Sequence, residues 1–485
     1  MKPRALLHLI TPLMAISFAS APATARIDAM QEIPQDSLKV PELAKEYIIS
    51  TYVPSKTVKG KGLAVSFVFT QKARYKDGAP VAVVVPPGTG ANGMTHNAHI
   101  SQIGMIEMRM AFPGGGTRDF YSDGEFDNRG FKSAEALRDV ILFAAGKSRD
   151  YQNRTLQDLI WAKAQIKVDH SNIGLVGWDQ GGNTALVCLG KHSDDLSGVV
   201  KWLAFYESPV GALFTPPNLG SVQDLVSNKH YRQGSAATGN LIIDWRKLAW
   251  SPSQFRSPNR LTGQRRGMPG LKGVLFFDDN LNKNWEESRE FAFTPALDVT
   301  ISKQYFPPQI TAACERLEVF GEEWPDNVAT LAETEEFFTE RDGSLYIDAL
   351  PGQYPRLAVG MFASLVDHGQ QQEDHPHIAF LYNKLLQAKV KWLRLNPDPV
   401  YMANVSAMNP ATFINNKPNA PIDSADLISH LEPKGICPDY VFMQGLISEL
   451  ADRVKTGNGV YPLVTPLCPF EMPAQPAIMP AKPKQ

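Results

Sequence analysis

Apolar runs alternate with amphipathic segments along most of the chain, and the runs end in turns rich in glycine or proline. Residues 81–85 and 173–176 are continuously apolar, which is typical of strands buried on both faces of a sheet. Residues 63–70 alternate between apolar and polar positions and predict a half-exposed strand. The other strands are predicted at residues 47–53, as an edge strand, and at residues 106–112, 199–206, 356–366 and 391–395.

Segments with helical spacing separate these strands. Apolar positions recur between residues 136 and 144, where Ser133 is the predicted N-cap, and again over residues 155–168. The other helices are predicted in the Ala/Leu-rich segment that follows Gly182 and at residues 327–339, 378–390 and 440–454. Strands and helices that alternate at this spacing predict an α/β protein with a doubly wound, mostly parallel sheet.

The alternation is interrupted over residues 211–350, which are rich in proline and asparagine and hold four tryptophans. We interpret this stretch as an insertion between two parts of one α/β core, residues 26–210 and residues 351–400. Residues 401–485 form a C-terminal extension that ends in a proline-rich tail, for which we expect disorder.

The most informative stretch is Gly177-Trp178-Asp179-Gln180-Gly181-Gly182, which lies between an apolar run and a helical segment. Asp179 has a glycine two positions before it and another two positions after it. A residue on so sharp a turn has strained backbone angles, and only small neighbours let the strand and the helix close beneath it. The Asp179 side chain is therefore expected above the sheet, beside the first N–H groups of the helix.

This turn resembles the nucleophile elbow of the α/β-hydrolase family, G-x-S-x-G, with Asp179 in the place of the usual serine. Haloalkane dehalogenases and epoxide hydrolases, a minority branch of that family, carry aspartate there. Several stretches between residues 63 and 396 are similar to those of secreted bacterial esterases and peptidases of the family: FPGGG (112–116), EFDNRG (125–130), NIGLVGWDQGGNTAL (172–186), FASLVDHGQQQEDHPH (362–377) and WLRLNPD (392–398). The resemblance implies the α/β-hydrolase fold, with the insertion as a lid.

The residue at the elbow decides the available chemistry. Asp179 has no hydroxyl, so acyl transfer by the serine route is closed. A carboxylate can instead attack a saturated carbon that carries a leaving group, and water then hydrolyses the resulting ester. The resemblance implies backbone N–H donors for the oxyanion at Gln180 and in the glycine-rich loop at Gly88. Gln180 also stands where dehalogenases usually carry Trp or Arg, so a halide-binding group is not evident.

The acid and the base of a triad remain open between several residues. Asp367, which follows the seventh predicted strand, is the preferred acid, and Glu207, after the sixth, is the alternative. No histidine follows the last strand directly, and we prefer His375 as the base. The other candidates are His368, His377 and His430. We expect no metal or other cofactor, because the spacing of His and carboxylates over residues 368–377 fits no standard ligand set.

The N-terminus predicts export. Lys2 and Arg4 precede an apolar stretch, and Ala23-Thr24-Ala25 has the small residues of a cleavage site, so residues 1–25 are interpreted as a signal peptide. The protein is then secreted or periplasmic, and no integral membrane segment is expected after cleavage. Cys437 and Cys468 could form a disulfide in that setting.

Charge and composition narrow the range of partners. Without Lys2 and Arg4, 46 basic and 50 acidic side chains remain, a net charge of −4. This balance gives no electrostatic reason to expect nucleic acid or an anionic membrane as a partner. The oligomeric state stays open.

Three functions compete. The first is a hydrolase with Asp179 as nucleophile, which acts on a small or medium organic substrate of the ester, halide or epoxide type. The second is a catalytically inactive protein of the same fold with a binding or scaffold role. In the third, Asp179 acts as a general base on water in the hydrolysis of an ester or peptide.

Overall fold

The chain is described here from a computed structural model. The described residues are 44–88, 90–95, 98, 100–208, 210, 220–221, 226–227, 245–256, 271–286, 290, 292–293, 305, 308–319, 329–364, 376–390, 392–397 and 439–457. The expected signal peptide, the proline-rich tail, Cys437 and Cys468 lie outside these ranges.

Eight of the described strands form one sheet in the order β1-β2-β4-β3-β5-β6-β12-β13. Strand β2 is antiparallel to both of its neighbours, and the other pairs in the sheet are parallel. The strands are β1 Tyr47–Val53, β2 Leu63–Phe69, β3 Ala79–Val85, β4 Ile106–Met110, β5 Val168–Trp178, β6 Val200–Tyr206, β7 Gly220–Ser221, β8 Val226–Ser227, β9 Leu248–Arg256, β10 Leu271–Phe277, β11 Ala292–Phe293, β12 Ala358–Phe362 and β13 Trp392–Leu395. The sheet confirms the predicted doubly wound, mostly parallel architecture.

Helices cover both faces of this sheet. The α-helices are α1 Phe131–Ala144, α2 Leu156–Ala164, α3 Gln180–Lys191, α4 Ser193–Leu196, α5 Pro308–Leu317, α6 Leu331–Glu340, α7 Leu350–Gln353, α8 Pro376–Gln387 and α9 Asp439–Thr456. Short 3-10 helices span Ile100–Ile103, Trp245–Lys247 and Gly343–Ala349. Buried side chains of α1, α2, α3 and α8 join one large apolar cluster, and those of α9 join a second cluster.

Ion pairs hold helix α9 against one face of the sheet. Arg74 donates from Nε and Nη2 to the two carboxylate oxygens of Asp452, at 2.7 and 2.8 Å. The Tyr75 hydroxyl donates to the same carboxylate at 2.6 Å. At the end of the helix, Lys455 pairs with Asp169 at 2.8 Å. The helix therefore connects to the starts of β3 and β5 as well as to the apolar cluster.

Two local predictions are wrong. Strand β2 is buried on both faces, with only Ser66 partly exposed, because α1 and the 3-10 helix Ile100–Ile103 pack against it. Ser133 is not the N-cap of α1, since the helix already begins at Phe131. Asp127 does the capping instead: its carboxylate accepts from the backbone N–H of Lys132 at 2.7 Å and from the Ser133 hydroxyl.

Two further elements lie where the sequence predicts them, but their ends differ from the predicted ones. The strand predicted at 356–366 is β12 and ends at Phe362, and the helix predicted at 440–454 is α9, which is slightly longer. Among the described residues, no helix combines the length and the apolar character that crossing a membrane requires.

Candidate active site

Asp179 sits at the carboxyl end of β5, between the last residue of the strand and the first residue of α3. Its backbone has φ 49° and ψ −129°, a conformation that L-residues rarely adopt and that stores strain. Its N–H donates to the carbonyl of Tyr206 at 3.0 Å. The residue is partly exposed, and its side chain makes no capping hydrogen bond to α3. The geometry matches the sharp turn expected from the sequence.

Glycines make this turn possible. A Cβ on Gly177 would lie 2.3 Å from the Cα of Gly182, and a Cβ on Gly182 would lie 2.5 Å from the Phe205 ring. A Cβ on Gly181 would meet the carbonyl oxygen of Val85 at 3.0 Å. Contacts this short show why the strand and the helix close only over small residues.

The glycine-rich loop after β3 passes beside the Asp179 carboxylate. Gly88 has φ 60°, and a Cβ there would be 4.0 Å from Asp179 Oδ2. Gln180 is buried and opens α3, at the helix end where backbone N–H groups carry partial positive charge. The structure therefore brings together three of the predicted site residues, Gly88, Asp179 and Gln180.

A buried arginine that the sequence analysis did not single out supports this loop. Arg129 Nη2 donates to the carbonyl oxygens of Pro86, Pro87 and Gly90 at 2.8, 2.9 and 3.1 Å. Its Nη1 donates to Thr184 Oγ1 on α3 at 3.0 Å. Burial lowers the pKa of Arg129 to about 10, and the nearby negative charge of Asp179 opposes this shift. The only hint in the sequence is its place in EFDNRG, a stretch without periodicity.

Glu207 occupies the position after β6 that corresponds to Asp179 after β5, because Trp178 and Tyr206 are register partners. It is fully buried and has φ 41°. Its N–H donates to the Phe362 carbonyl at 3.0 Å, and its Oε1 accepts a short hydrogen bond from the Ser364 hydroxyl. Glu207 is thus a carboxylate held between the ends of β6 and β12.

The same edge of the sheet carries a third strained residue and a row of rings. Asn396, directly after β13, has φ 58° and donates from its N–H to the Met361 carbonyl. Trp178 stacks on Tyr206 with ring centroids 3.8 Å apart, and Tyr206 stacks on Phe362 at 4.8 Å. The residues around the elbow are therefore tightly packed on the side of β6 and β12.

Most of the remaining candidates cannot be placed. Asp367, His368, His375 and His430 lie outside the described residues. His377 is described: it is the second residue of α8 and is 2% exposed. Within the described ranges, no three His, Cys, Asp or Glu side chains cluster closely enough to hold a metal ion.

Comparisons with known proteins give structural matches only. No family model matches the chain, and no curated protein matches it. A structure of fungal esterases from Rhizomucor miehei aligns over 86% of this chain and 87% of its own, with 10% identity and a TM-score of 0.39. The α/β hydrolase GrgF from Penicillium sp. sh18 aligns over 72% of this chain and 88% of its own, with 13% identity and a TM-score of 0.32.

A hyperthermophilic esterase from the archaeon Pyrobaculum calidifontis aligns over 35% of this chain, with 15% identity and a TM-score of 0.24. The match spans only 45% of that esterase. Scores this low carry no argument about activity. The fold is shown by the structure itself: the mostly parallel eight-stranded sheet, the helices on both of its faces and the sharp turn at Asp179 are those of the α/β-hydrolase fold.

Proposed function

We propose that the protein is a hydrolase in which the Asp179 carboxylate is the nucleophile, acting on a small or medium organic substrate of the ester, halide or epoxide type. One observation carries this proposal. Asp179 is held in a strained conformation at the end of a central strand, partly exposed and not used to cap α3. Strain of this kind persists where the surrounding structure over-determines it, as it does at active sites.

The first step forms an ester on Asp179. One oxygen of its carboxylate attacks a saturated carbon, and the new C–O bond forms as the bond to the leaving group breaks. A halide or a carboxylate departs with the electron pair as an anion, whereas an epoxide oxygen keeps its bond to the neighbouring carbon and takes a proton from water. Gly88 lies beside the Asp179 carboxylate, and Gln180 follows it directly in the chain. The nucleophile and both proposed N–H donors therefore share one small region.

The second step hydrolyses that ester. A histidine takes a proton from water, and the water oxygen attacks the carbonyl carbon of the Asp179 ester. The backbone N–H groups of Gln180 and Gly88 stabilise the oxyanion. The C–O bond at the carbonyl then breaks, and the departing oxygen takes the proton held by the histidine and leaves as an alcohol. The new carboxylic acid loses its proton to solvent, which restores the carboxylate.

For the base we propose His375, oriented by Asp367, with Glu207 as the alternative acid. The alternative is supported by the burial of the Glu207 carboxylate and by its hydrogen bond from Ser364, which precedes Asp367 in the sequence. Asp367→Asn and Glu207→Gln separate the two: the variant of the orienting acid should lose hydrolysis of the intermediate, and the other should keep it.

Covalent trapping tests the proposal. The protein is incubated with bromohexane, styrene oxide and an activated ester, quenched, and digested for mass spectrometry. We expect bromohexane and styrene oxide to leave an alkyl adduct on the peptide that contains Asp179, and this adduct to be lost in Asp179→Ala. The activated ester is followed by turnover alone, because acyl transfer to a carboxylate gives a mixed anhydride that hydrolyses readily. Asp169, at the other end of the same strand, is the internal control and should stay unmodified. An absence of both adduct and turnover across this panel would contradict the proposal.

A second function is favoured by one observation, the charge relation between Asp179 and Arg129. A buried guanidinium needs a compensating anion, and Asp179 supplies one. Asp179 could thus be retained to stabilise the fold, in a catalytically inactive protein with a binding or scaffold role. In that case Asp179→Asn lowers stability while the protein shows no turnover and no adduct with any of the probes.

The proposed setting is extracellular or periplasmic. It is supported by the basic start, the apolar stretch and the small residues before Arg26.

A further inference from the structure

Arg129 connects the two elements that carry the proposed oxyanion donors. On one side it donates to carbonyls at residues 86, 87 and 90, which flank Gly88. On the other side it donates to Thr184 Oγ1, and that hydroxyl donates to the carbonyl of Gln180 at 3.1 Å. A single guanidinium thus spans the distance between the Gly88 loop and the first turn of α3.

The backbone that presents Arg129 is itself clamped. Asn128 and Arg129 have φ values of 53° and 64°, so this turn is strained. Arg341 donates from Nε to the Asn128 carbonyl at 2.9 Å and from Nη2 to the Asp127 carbonyl at 2.7 Å. Arg129 is 1% exposed. Arg129 therefore has little freedom to move, and it can hold the Gly88 loop and the first turn of α3 at a fixed distance from each other.

We infer that Arg129 is a positioning residue: it fixes the Gly88 and Gln180 donors relative to each other, and so serves the second step of the reaction more than the first. This inference rests on the proposed function. Attack of the Asp179 carboxylate on a saturated carbon develops no oxyanion at Asp179. Attack of water on the Asp179 ester does, and that step requires both donors in place.

The test compares the two steps in Arg129→Lys. Lysine keeps the charge but replaces the planar fork with a single ammonium, which cannot hold three carbonyls and a hydroxyl in the same geometry. Bromohexane and styrene oxide are the probes, and the adduct on Asp179 is followed over time by quenched mass spectrometry. We expect adduct formation near the wild-type rate and hydrolysis slowed roughly tenfold to a hundredfold, so that the adduct accumulates.

The control is Arg74→Lys. Arg74 is buried like Arg129, but it donates to both carboxylate oxygens of Asp452 on α9, on the other face of the sheet. The Arg74→Lys variant measures the general effect of replacing a buried guanidinium with an ammonium. This variant should lose stability and leave the ratio of the two rates unchanged. A shift of that ratio in Arg74→Lys equal to the shift in Arg129→Lys would overturn the inference.

Thr184→Val is a milder variant in case Arg129→Lys fails to fold. It removes the hydroxyl that connects Arg129 to the Gln180 carbonyl, and we expect a slower hydrolysis step by a few fold with unchanged adduct formation. If wild type forms the adduct but both variants hydrolyse it at the wild-type rate, the role of Arg129 is refuted and Asp179 remains the nucleophile. If wild type forms no adduct with either probe, both proposals fall.

Discussion

At the scale of single residues, the elbow shows how small side chains permit a strained backbone at Asp179. Asp179 follows a strand whose penultimate residue, Gly177, touches the helix that begins at Gln180. The strain at Asp179, of order 1–3 kcal/mol for such backbone conformations, is offset by packing around it. The conformation of Asp179 therefore depends on neighbouring glycines that carry no functional group.

Gly177→Ala tests this dependence. The new methyl group would lie 2.3 Å from the Gly182 backbone, so either the strand or the helix must shift. We expect a loss of roughly 1–3 kcal/mol in the free energy of unfolding, measured by urea denaturation, together with loss of adduct formation at Asp179. Gly352→Ala is the matched control, because a Cβ there meets nothing within 4 Å. Equal stability of the two variants would show that the elbow is not tightly closed.

At the scale of elements, α9 completes the fold from a distant part of the chain. Its buried residues Met443, Leu446, Ile447 and Leu450 pack with those of β6 and β12 in the second apolar cluster. Asn172 on β5 donates to the carbonyl of Ala451 at 2.8 Å. The C-terminal helix thus covers the face of the sheet opposite α3.

Asp452→Asn should weaken the attachment of α9 to the rest of the fold. The substitution leaves the Arg74 guanidinium, 1% exposed, without its carboxylate. Removing one partner of a buried pair costs about 3–5 kcal/mol, so we expect faster hydrogen exchange throughout α9. Asp77→Asn is the control: Asp77 also forms an ion pair with α9, but its side chain is 65% exposed. Unchanged exchange in Asp452→Asn would show that apolar packing alone holds the helix.

The elements also show what the sequence could predict. Continuous apolar runs identified β3 and β5 because burial on both faces leaves a local signature. The burial of β2 was missed because its cover comes from α1 and a 3-10 helix that follow much later in the chain. The elbow was predicted because glycine spacing is local, whereas the role of Arg129 was not, since its partners lie about 40 residues before and 55 after it.

At the scale of the whole molecule, the carboxyl edge of the sheet concentrates residues with strained backbone. Residues with positive φ follow three strands there, Asp179 after β5, Glu207 after β6 and Asn396 after β13. The segments that contain Asp367, His375 and His430 connect elements of this same core. Asp367→Asn and Glu207→Gln, described above, decide between the two proposed acids.

The proposed export concerns the whole chain and leads to a simple prediction. If residues 1–25 are a signal peptide, the mature protein begins at Arg26. Expression of the full chain in a bacterium, followed by fractionation and intact-mass measurement, should find a protein that lacks these residues outside the cytoplasm. A full-length chain that stays in the cytoplasmic fraction would contradict the proposed localisation.

The central claim is that the Asp179 carboxylate attacks the substrate, and a turnover in heavy-oxygen water tests it most directly. Because water attacks the carbonyl carbon of the ester, the restored carboxylate carries one oxygen atom from water. Mass spectrometry of the digested protein should find the heavy label on Asp179, with Asp169 unlabelled. Product that forms while Asp179 stays unlabelled would show that water attacks the substrate itself, and would contradict a nucleophilic role for Asp179.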